Sequence, residues 1–197
     1  MLNVALFGFG RIGQMHARNI HNKKDLKLLY VFEKAVVLSR KAKRLYDCKI
    51  ENNYKNIFRD KKVDIIFISS PTNTHLKYIN EGIKFNKTIF CEKPLDLNIN
   101  KIIKTYKKIK KNKSRVQMGF NRRYDPGHYA IKKDLDLGKI GMLEKIIITS
   151  RDPAPPSLNY LKVSGGIFKD MMIHDFDLLR FYLEKDEIEN IFTTASN

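Results

Sequence analysis

The chain has 197 residues, of which 43% are hydrophobic, and its 38 Lys and Arg against 21 Asp and Glu give a formal net charge of +17. This apolar content supports a packed core and excludes a chain that is disordered throughout. No apolar stretch approaches membrane-spanning length, and the apolar run at the N-terminus is too short and too uncharged at its start for a signal peptide. We therefore expect a soluble, cytoplasmic protein with no membrane partner.

Apolar, β-rich runs alternate with helical patterns along the first part of the chain. The predicted strands lie near 3–7, 26–32, 63–69, 87–91 and 115–119, and the helices between them begin near Ile12, Val36 and Asn73, with a lysine-rich helix before the last strand. Such alternation is typical of crossover units that build a parallel sheet with helices on both faces. The pattern predicts an α/β fold with a doubly wound parallel sheet.

The lysine-rich stretch at 104–115 raises the hypothesis of a nucleic-acid partner. Apolar residues at helical spacing run through and before this stretch, which predicts an amphipathic helix with its lysines on the solvated face. These apolar positions are Ile99, Ile102, Ile103, Tyr106 and Ile109. Because lysine is frequent along the whole chain, we expect no specific nucleic-acid partner.

After Gly119 the alternation changes. A helix is predicted at 124–135, a strand at 143–150, a Pro-rich loop at 152–156, a helix that carries Asp170 and His174, and a last strand near 188–194. We therefore predict a boundary close to Gly119, with a Rossmann-type domain at 1–119 and an incomplete α+β substrate domain at 120–197.

The segment Gly8-Phe-Gly10-Arg11-Ile12-Gly13 lies directly between the first predicted strand and the first predicted helix. In this setting the glycines permit a tight turn, a close approach of pyrophosphate to the backbone and close packing of helix on strand. Glu33 ends the second strand about 20 residues further on, where an acidic group binds ribose hydroxyls and repels a 2′-phosphate. The pattern predicts NAD rather than NADP. The alternative is a solvated Glu33, with Lys34, Arg40 or Lys41 accepting the phosphate of NADP.

Polar residues follow two further predicted strands, at the edge of the sheet where ligands bind in this fold class. The first group is Ser70, Thr72, Asn73 and His75, and the second is Glu92 and Lys93. We expect both groups at the cofactor, and Lys93 in addition holds the substrate hydroxyl through its charge. Helix capping by Thr72 or Asn73 and a solvated Lys93 are the structural alternatives.

Asp170 and His174 are four residues apart in a stretch patterned as one amphipathic helix, so the sequence predicts that they share a face. A carboxylate beside an imidazole can orient the ring as a proton acceptor near neutral pH. The alternative is that Asp170 caps the helix and His174 packs in the core. Neither Cys48 nor Cys91 shows metal-ligand spacing, so both are expected to be reduced structural thiols and no metal site is predicted.

The chain resembles the Gfo/Idh/MocA oxidoreductase family over its whole length and in order, and within it the inositol 2-dehydrogenase branch. The segments that carry the resemblance are the glycine motif with His16, Pro71 to His75, Glu92-Lys93-Pro94, Gly119 to Pro126, Ser150 to Pro156 with Tyr160, and Ser164 to Asp175. The resemblance implies an NAD-dependent dehydrogenase that converts a ring polyol such as myo-inositol to its 2-keto product. It further implies a homo-oligomer for the full-length form.

The resemblance also implies roles for individual residues. His174 would accept the proton of the substrate hydroxyl, Asp170 would orient and stabilise the imidazolium, and Lys93 would stabilise charge on the reacting oxygen. Further hydroxyl contacts are expected at Asn121, Arg122 and Asp152, each of which could instead serve as a hydrogen-bonding group between domains.

The chain departs from the family in two respects. It has Glu33 where Asp is usual, and it is considerably shorter than family members, so we expect a C-terminally truncated dehydrogenase or an incomplete reading frame. Another sugar or polyol dehydrogenase of the family, or a catalytically silent nucleotide-binding remnant, remains the alternative function.

Overall fold

The computed structural model describes residues 1–184 and 186–194. The chain divides into two compact units, Met1–Gly119 and a second unit that begins at Phe120. Each unit is described by itself below.

The first unit is built on a six-stranded sheet in which every described strand pair is parallel. The strands are β1 (Leu2–Phe7), β2 (Leu26–Phe32), β3 (Lys49–Ile50), β4 (Ile65–Ile68), β5 (Thr88–Cys91) and β6 (Val116–Met118). Their order in space is β3-β2-β1-β4-β5-β6. The order reverses at β1, which places the switch point of a doubly wound fold, the usual ligand site, at the carboxyl ends of β1 and β4. The predicted α/β class is confirmed.

Helices connect these strands. They are α1 (Arg11–His21), α2 (Val36–Tyr46), α3 (Tyr54–Arg59), α4 (His75–Lys84) and α5 (Ile99–Lys111), and a 3-10 turn at Thr72–Thr74 precedes α4. Asn98 caps α5, because its side-chain oxygen accepts hydrogen bonds from the backbone N–H groups of Asn100 and Lys101 at 3.0 and 3.2 Å.

The core lies on both faces of the sheet. Ala5 and Phe7 of β1 belong to one buried cluster, and Val4 and Leu6 belong to another. Successive strand residues point to opposite faces, so a strand buried on both sides is apolar without alternation. This explains why the first strand could be recognised from its continuous apolar run.

Helix α5 forms where it was predicted, but only part of its predicted apolar face is buried. Thr105 is buried and Ile102 and Ile109 pack against the core. By contrast, Ile99 and Tyr106 are 63% and 54% exposed, and Ile103 is also exposed. The apolar stripe is wider than the contact with the sheet, so only one side of it is covered.

The second unit contains helices α6 (Pro126–Asp136), α7 (Leu158–Ser164), α8 (Gly166–Asp170) and α9 (Ile173–Leu183), with a 3-10 turn at Asn121–Tyr124. The Asp125 side chain caps α6 by accepting hydrogen bonds from the N–H groups of Gly127 and His128. Pro126 at the first helical position lacks the N–H that would otherwise need a partner.

Three predictions for this unit are wrong. Residues 143–150 and 188–194 form no strand, because a strand requires a hydrogen-bonded neighbour and the described residues of this unit provide none. The predicted single helix with Asp170 and His174 is interrupted at Met171 and Met172. Asp170 ends α8, and His174 lies in the first turn of α9.

Two features are absent from residues 1–184 and 186–194. No helix there is long and apolar enough to cross a membrane. The same residues contain no group of three or more His, Cys, Asp or Glu side chains placed to hold a metal ion.

Candidate functional site

The glycine loop after β1 requires glycine at two positions. Gly8 has φ +90°, and a Cβ there would come within 2.7 Å of the Ser69 carbonyl oxygen. A Cβ on Gly13 would lie 2.1 Å from the Gly8 carbonyl oxygen, closer than any real contact. The Gly8 N–H donates to the Phe32 carbonyl at 2.9 Å, so the loop is also attached to the end of β2. These contacts fix the path of the chain from β1 into α1.

Gly10 differs from the other two glycines of the motif. Its φ of −66° is open to any residue, and a Cβ built there meets nothing within 4 Å. This open space lies at the start of α1, where Arg11 and Ile12 begin the first turn and helical N–H groups favour an anion. The residues present therefore fit a pyrophosphate group.

Glu33 lies just beyond β2 and is tied to the glycine loop. Its Oε2 accepts a hydrogen bond from the Phe9 N–H at 2.7 Å, and its Oε1 accepts one from the Ala35 N–H at 2.8 Å. A carboxylate has further lone pairs on both oxygens, so these bonds orient the group without exhausting it. The half-buried carboxylate is therefore held where it can accept ribose hydroxyls.

Lys41, which the sequence offered as a phosphate ligand, is directed toward α1. Its ammonium donates to the side-chain oxygen of Gln14 at 2.6 Å, and the Gln14 amide donates in turn to the Phe9 carbonyl at 3.2 Å. Lys41 therefore contributes to the support of the glycine loop.

The residues after β4 form a hydrogen-bonded turn. The Thr74 hydroxyl donates to the Pro71 carbonyl at 2.7 Å and lies 2.6 Å from the Ser70 hydroxyl. Thr72 is half-buried and Asn73 is exposed, and both lie in the 3-10 turn at the carboxyl edge of the sheet. This turn is the predicted location for cofactor contacts.

His75 occupies a different position from the predicted one. Its side chain is only 1% exposed. Its Nδ1 lies 2.8 Å from the Pro94 carbonyl oxygen and its Nε2 lies 2.7 Å from the Ser70 carbonyl oxygen. A buried ring with both nitrogens on backbone groups does not reach a ligand directly, which corrects the predicted cofactor contact.

The segment after β5 is joined to α1. The Nε2 atom of His16 lies 2.7 Å from Oε1 of Glu92, and Oε2 of Glu92 accepts a hydrogen bond from the Lys93 N–H at 3.2 Å. The His16 ring packs edge-on against Phe67 and Phe90. Lys93 is half-buried and precedes Pro94 through a cis peptide. Glu92 thus links the helix of the glycine loop to the backbone of Lys93.

In the second unit, Asp170 and His174 have neighbours that the sequence analysis did not assign. The Tyr160 hydroxyl donates to Oδ1 of Asp170 at 2.9 Å. The ring of Phe120 packs edge-on against the His174 ring, with centroids 6.4 Å apart. Tyr160 lies within a segment that carried the family resemblance, which is the signal that could have identified it.

Two arginine–aspartate pairs join the 3-10 turn at Asn121–Tyr124 to α9. Arg122 donates to Oδ1 of Asp175, which also accepts a hydrogen bond from the Ser150 hydroxyl at 2.7 Å. Arg123 binds Asp177 through two bonds of 2.7 Å, and this pairing raises the pKa of the Arg123 guanidinium. Arg122 was predicted to contact substrate, whereas its described bond holds the helix that carries His174.

A cavity of about 700 Å³ lies within the second unit. Its polar lining includes Arg122, Ser150 and Asp152, and its apolar lining includes Ile146 and Leu178. Asp170 and His174 do not line it, so this cavity does not unite the predicted substrate residues. Asn121 is exposed on the 3-10 turn, and Asp152 is exposed in the Pro-rich loop.

Comparison with protein families gives two matches that together cover most of the chain. Residues 2–120 match the Gfo/Idh/MocA oxidoreductase family, NAD-binding Rossmann fold, and residues 128–197 match the C-terminal domain of the same family. The chain belongs to the Gfo/Idh/MocA family. Its first unit is accordingly an NAD-binding Rossmann domain, with the glycine loop and Glu33 at the positions that this fold uses for its dinucleotide.

Individual relatives in this family are inositol dehydrogenases. The chain is 38% identical over 190 residues to inositol 2-dehydrogenase from Rhizobium meliloti. The aligned region covers 96% of this chain and 57% of the relative. A myo-inositol dehydrogenase structure from Corynebacterium glutamicum matches with a TM-score of 0.89 and 38% identity over 93% of this chain and 55% of that chain. A scyllo-inositol dehydrogenase structure from Lactobacillus casei, with bound NAD(H) and scyllo-inositol, matches with a TM-score of 0.80 and 31% identity over 92% of this chain and 56% of that one. The chain thus spans a little over half the length of these relatives.

Proposed function

We propose that the protein is an NAD-dependent dehydrogenase that oxidises a secondary hydroxyl of a ring polyol, with myo-inositol as the leading substrate and its 2-keto derivative as the product. The observation that carries this proposal is the Glu33 carboxylate, held by the Phe9 N–H beside the open space at Gly10. That arrangement fits a dinucleotide without a 2′-phosphate. The similarity to myo- and scyllo-inositol dehydrogenases supports the polyol class.

Within this proposal, NAD supplies the hydride acceptor when it is bound. The His174 imidazole accepts the proton of the substrate hydroxyl, and the Asp170 carboxylate stabilises the resulting imidazolium. The Tyr160 hydroxyl holds Oδ1 of Asp170 at 2.9 Å and so limits the rotation of that carboxylate. The Lys93 ammonium stabilises negative charge on the reacting oxygen.

The test is an assay of NADH formation with myo-inositol, scyllo-inositol and an open-chain polyol as separate substrates. We expect turnover of at least one inositol and none of the open-chain polyol. His174→Ala should lower turnover by about a hundredfold to ten-thousandfold, the usual contribution of a general base, and should leave the Kd for NADH nearly unchanged. His21→Ala, a change on the exposed end of α1, is the matched control.

Two results would count against the proposal in different ways. If NADH binds but no inositol is oxidised, the assignment of inositol as substrate fails, and another polyol dehydrogenase of the family or a nucleotide-binding function replaces it. If His174→Ala keeps the turnover of the unmodified protein, the oxidation stands and the role given to His174 is wrong.

A further inference from the structure

Two loops at the carboxyl edge of the first unit carry residues with different proposed tasks. β4 and β5 are neighbours, with Ile68 opposite Cys91, so the chain leaves both strands at the same level of the sheet. The loop after β4 contains Ser70, at the proposed cofactor contacts. The loop after β5 contains Lys93, the proposed stabiliser of the reacting oxygen. The chemistry requires a constant distance between these loops.

His75 is bonded to both loops. Its Nε2 lies 2.7 Å from the Ser70 carbonyl oxygen, and its Nδ1 lies 2.8 Å from the carbonyl oxygen of Pro94, the residue after Lys93. A carbonyl oxygen only accepts hydrogen bonds, so a ring N–H of His75 is the donor, and which nitrogen carries the proton depends on the tautomer. The rigid ring spans the gap between the two carbonyl groups.

The bond to Pro94 has no simple substitute. Proline has no backbone N–H, so its carbonyl is the one backbone group through which that residue can be hydrogen-bonded. Pro94 is itself buried, and a buried carbonyl without a hydrogen-bond donor would destabilise the loop. The His75 ring therefore fixes the loop at the residue adjacent to Lys93.

We propose that His75 is a positioning residue that couples the cofactor loop at Ser70 to the Lys93–Pro94 segment, because its ring lies within hydrogen-bonding distance of a backbone carbonyl in each. The coupling follows from the geometry of the first unit alone, and only its effect on turnover rests on the proposed dehydrogenase function. A histidine that merely filled space in the core would need neither contact.

Amide hydrogen exchange tests the coupling without any assay of activity. His75→Phe keeps an aromatic ring and removes both ring nitrogens, and His75→Gln retains a polar group at one end only. In His75→Phe we expect faster exchange at the amides of 70–74 and 92–95, with the amides of β4 and β5 unchanged. In His75→Gln we expect faster exchange in one of the two loops. His21→Gln, at the exposed end of α1, should change neither loop.

Unchanged exchange in both loops of a folded His75→Phe variant would overturn the proposal. The unmodified chain provides a second measurement in case both variants fail to fold. In a nitrogen-15 spectrum, a ring N–H proton of His75 should be observed and should exchange slowly with water, because the ring is buried and lies on two loop carbonyls. A ring N–H that exchanges rapidly would overturn the proposal.

Turnover supplies the functional measurement. Displacement of a catalytic group by about 1 Å costs about a hundredfold in rate, so His75→Gln should lower kcat by about that factor and change the Kd for NADH far less. An equal loss in both quantities would indicate general damage to the fold and would refute the positioning role. If the unmodified protein oxidises no polyol, the proposed function fails, while the exchange and nitrogen-15 results still decide the coupling.

Discussion

The Glu33 carboxylate accepts a hydrogen bond from the glycine loop at Phe9, and in the proposed function it also binds the ribose of NAD. Glu33→Gln keeps the shape of the side chain but places an amide NH2 near a backbone N–H at Phe9 or Ala35. A hydrogen bond to a charged group contributes about 1.5–3 kcal/mol, so we expect weaker NADH binding and a reduced preference over NADPH. Titration with both reduced cofactors, followed by nicotinamide fluorescence, measures this. Equal affinity for NADPH and NADH in the unmodified protein would contradict the assignment of NAD as the cofactor. The control is Glu144→Gln, which changes an exposed residue of the second unit.

Gly10 and Gly13 lie in one motif but should respond to alanine in opposite ways. Gly10→Ala places a methyl group in open space on an unstrained backbone, so the fold should keep its stability while NADH affinity falls. Gly13→Ala forces a methyl group to within 2.1 Å of the Gly8 carbonyl oxygen, so the fold itself should lose about 1–3 kcal/mol or more. Urea denaturation and NADH titration of both variants separate the two effects. Unimpaired NADH binding by Gly10→Ala would show that the open space is not where the pyrophosphate binds.

At the scale of elements, the arginine pairs anchor α9 in the second unit. Asp177 is 8% exposed, and Arg123→Met would leave its carboxylate without the two guanidinium bonds. We expect a loss of about 1–3 kcal/mol in the free energy of unfolding. This is less than the ~3–5 kcal/mol of a fully buried pair, because the Arg123 side chain is 38% exposed. Denaturation followed by circular dichroism measures it.

Lys139→Met provides the comparison for this measurement. It breaks an exposed pair with Asp134, in which the two side chains are 60% and 43% exposed. Such pairs contribute about 0–1 kcal/mol. If the two variants lose equal stability, the arginine pairs do not anchor α9.

The elements also show which parts of the fold were predictable. β1, β2, β4 and β5 belong to a sheet with core residues on both faces, so each appears in the sequence as a mainly apolar run. β3 has two residues, too few for any pattern, and it was not predicted. The runs at 143–150 and 188–194 look like strands in isolation, but strand formation depends on a neighbour that the described residues do not supply.

The candidate site residues also differ in how far the sequence could predict them. The glycine loop and Glu33 could be predicted as cofactor residues because their chemistry depends on residue type at fixed spacing. The position of His75 was not, because its partners are backbone carbonyls, which every residue has. The break between Asp170 and His174 was missed for a related reason. Met171 and Met172 favour a helix, yet the Met172 N–H bonds to the Ile167 carbonyl at 2.8 Å and ends α8.

At the scale of the whole molecule, both thiols are withdrawn from solvent. Cys48 is 4% exposed and Cys91 is fully buried. Burial raises the pKa of Cys48 to about 11 and raises the pKa of Cys91 as well. Thiolate is the reactive form, so alkylation of the folded protein should stay slow up to a pH near the raised value. In the unfolded chain the ordinary thiol pKa of about 8.5 applies, and labelling should be fast at mildly alkaline pH.

Mass spectrometry of alkylated protein at mildly alkaline pH, with Cys48→Ser and Cys91→Ser to assign each label, checks this prediction. Labelling of the folded protein as fast as that of the denatured chain would contradict the burial of the thiols.

The two cysteines also belong to different layers. Cys91 lies in the buried cluster that includes Phe7, and Cys48 lies in the cluster that includes Val4 and Leu6, on the opposite face of the sheet. The alkylation rate of each thiol therefore reports how often the helix layer that covers it opens. Equal alkylation rates at the two cysteines would mean that both helix layers unfold together. Different rates would mean that one helix layer opens while the other stays packed on the sheet.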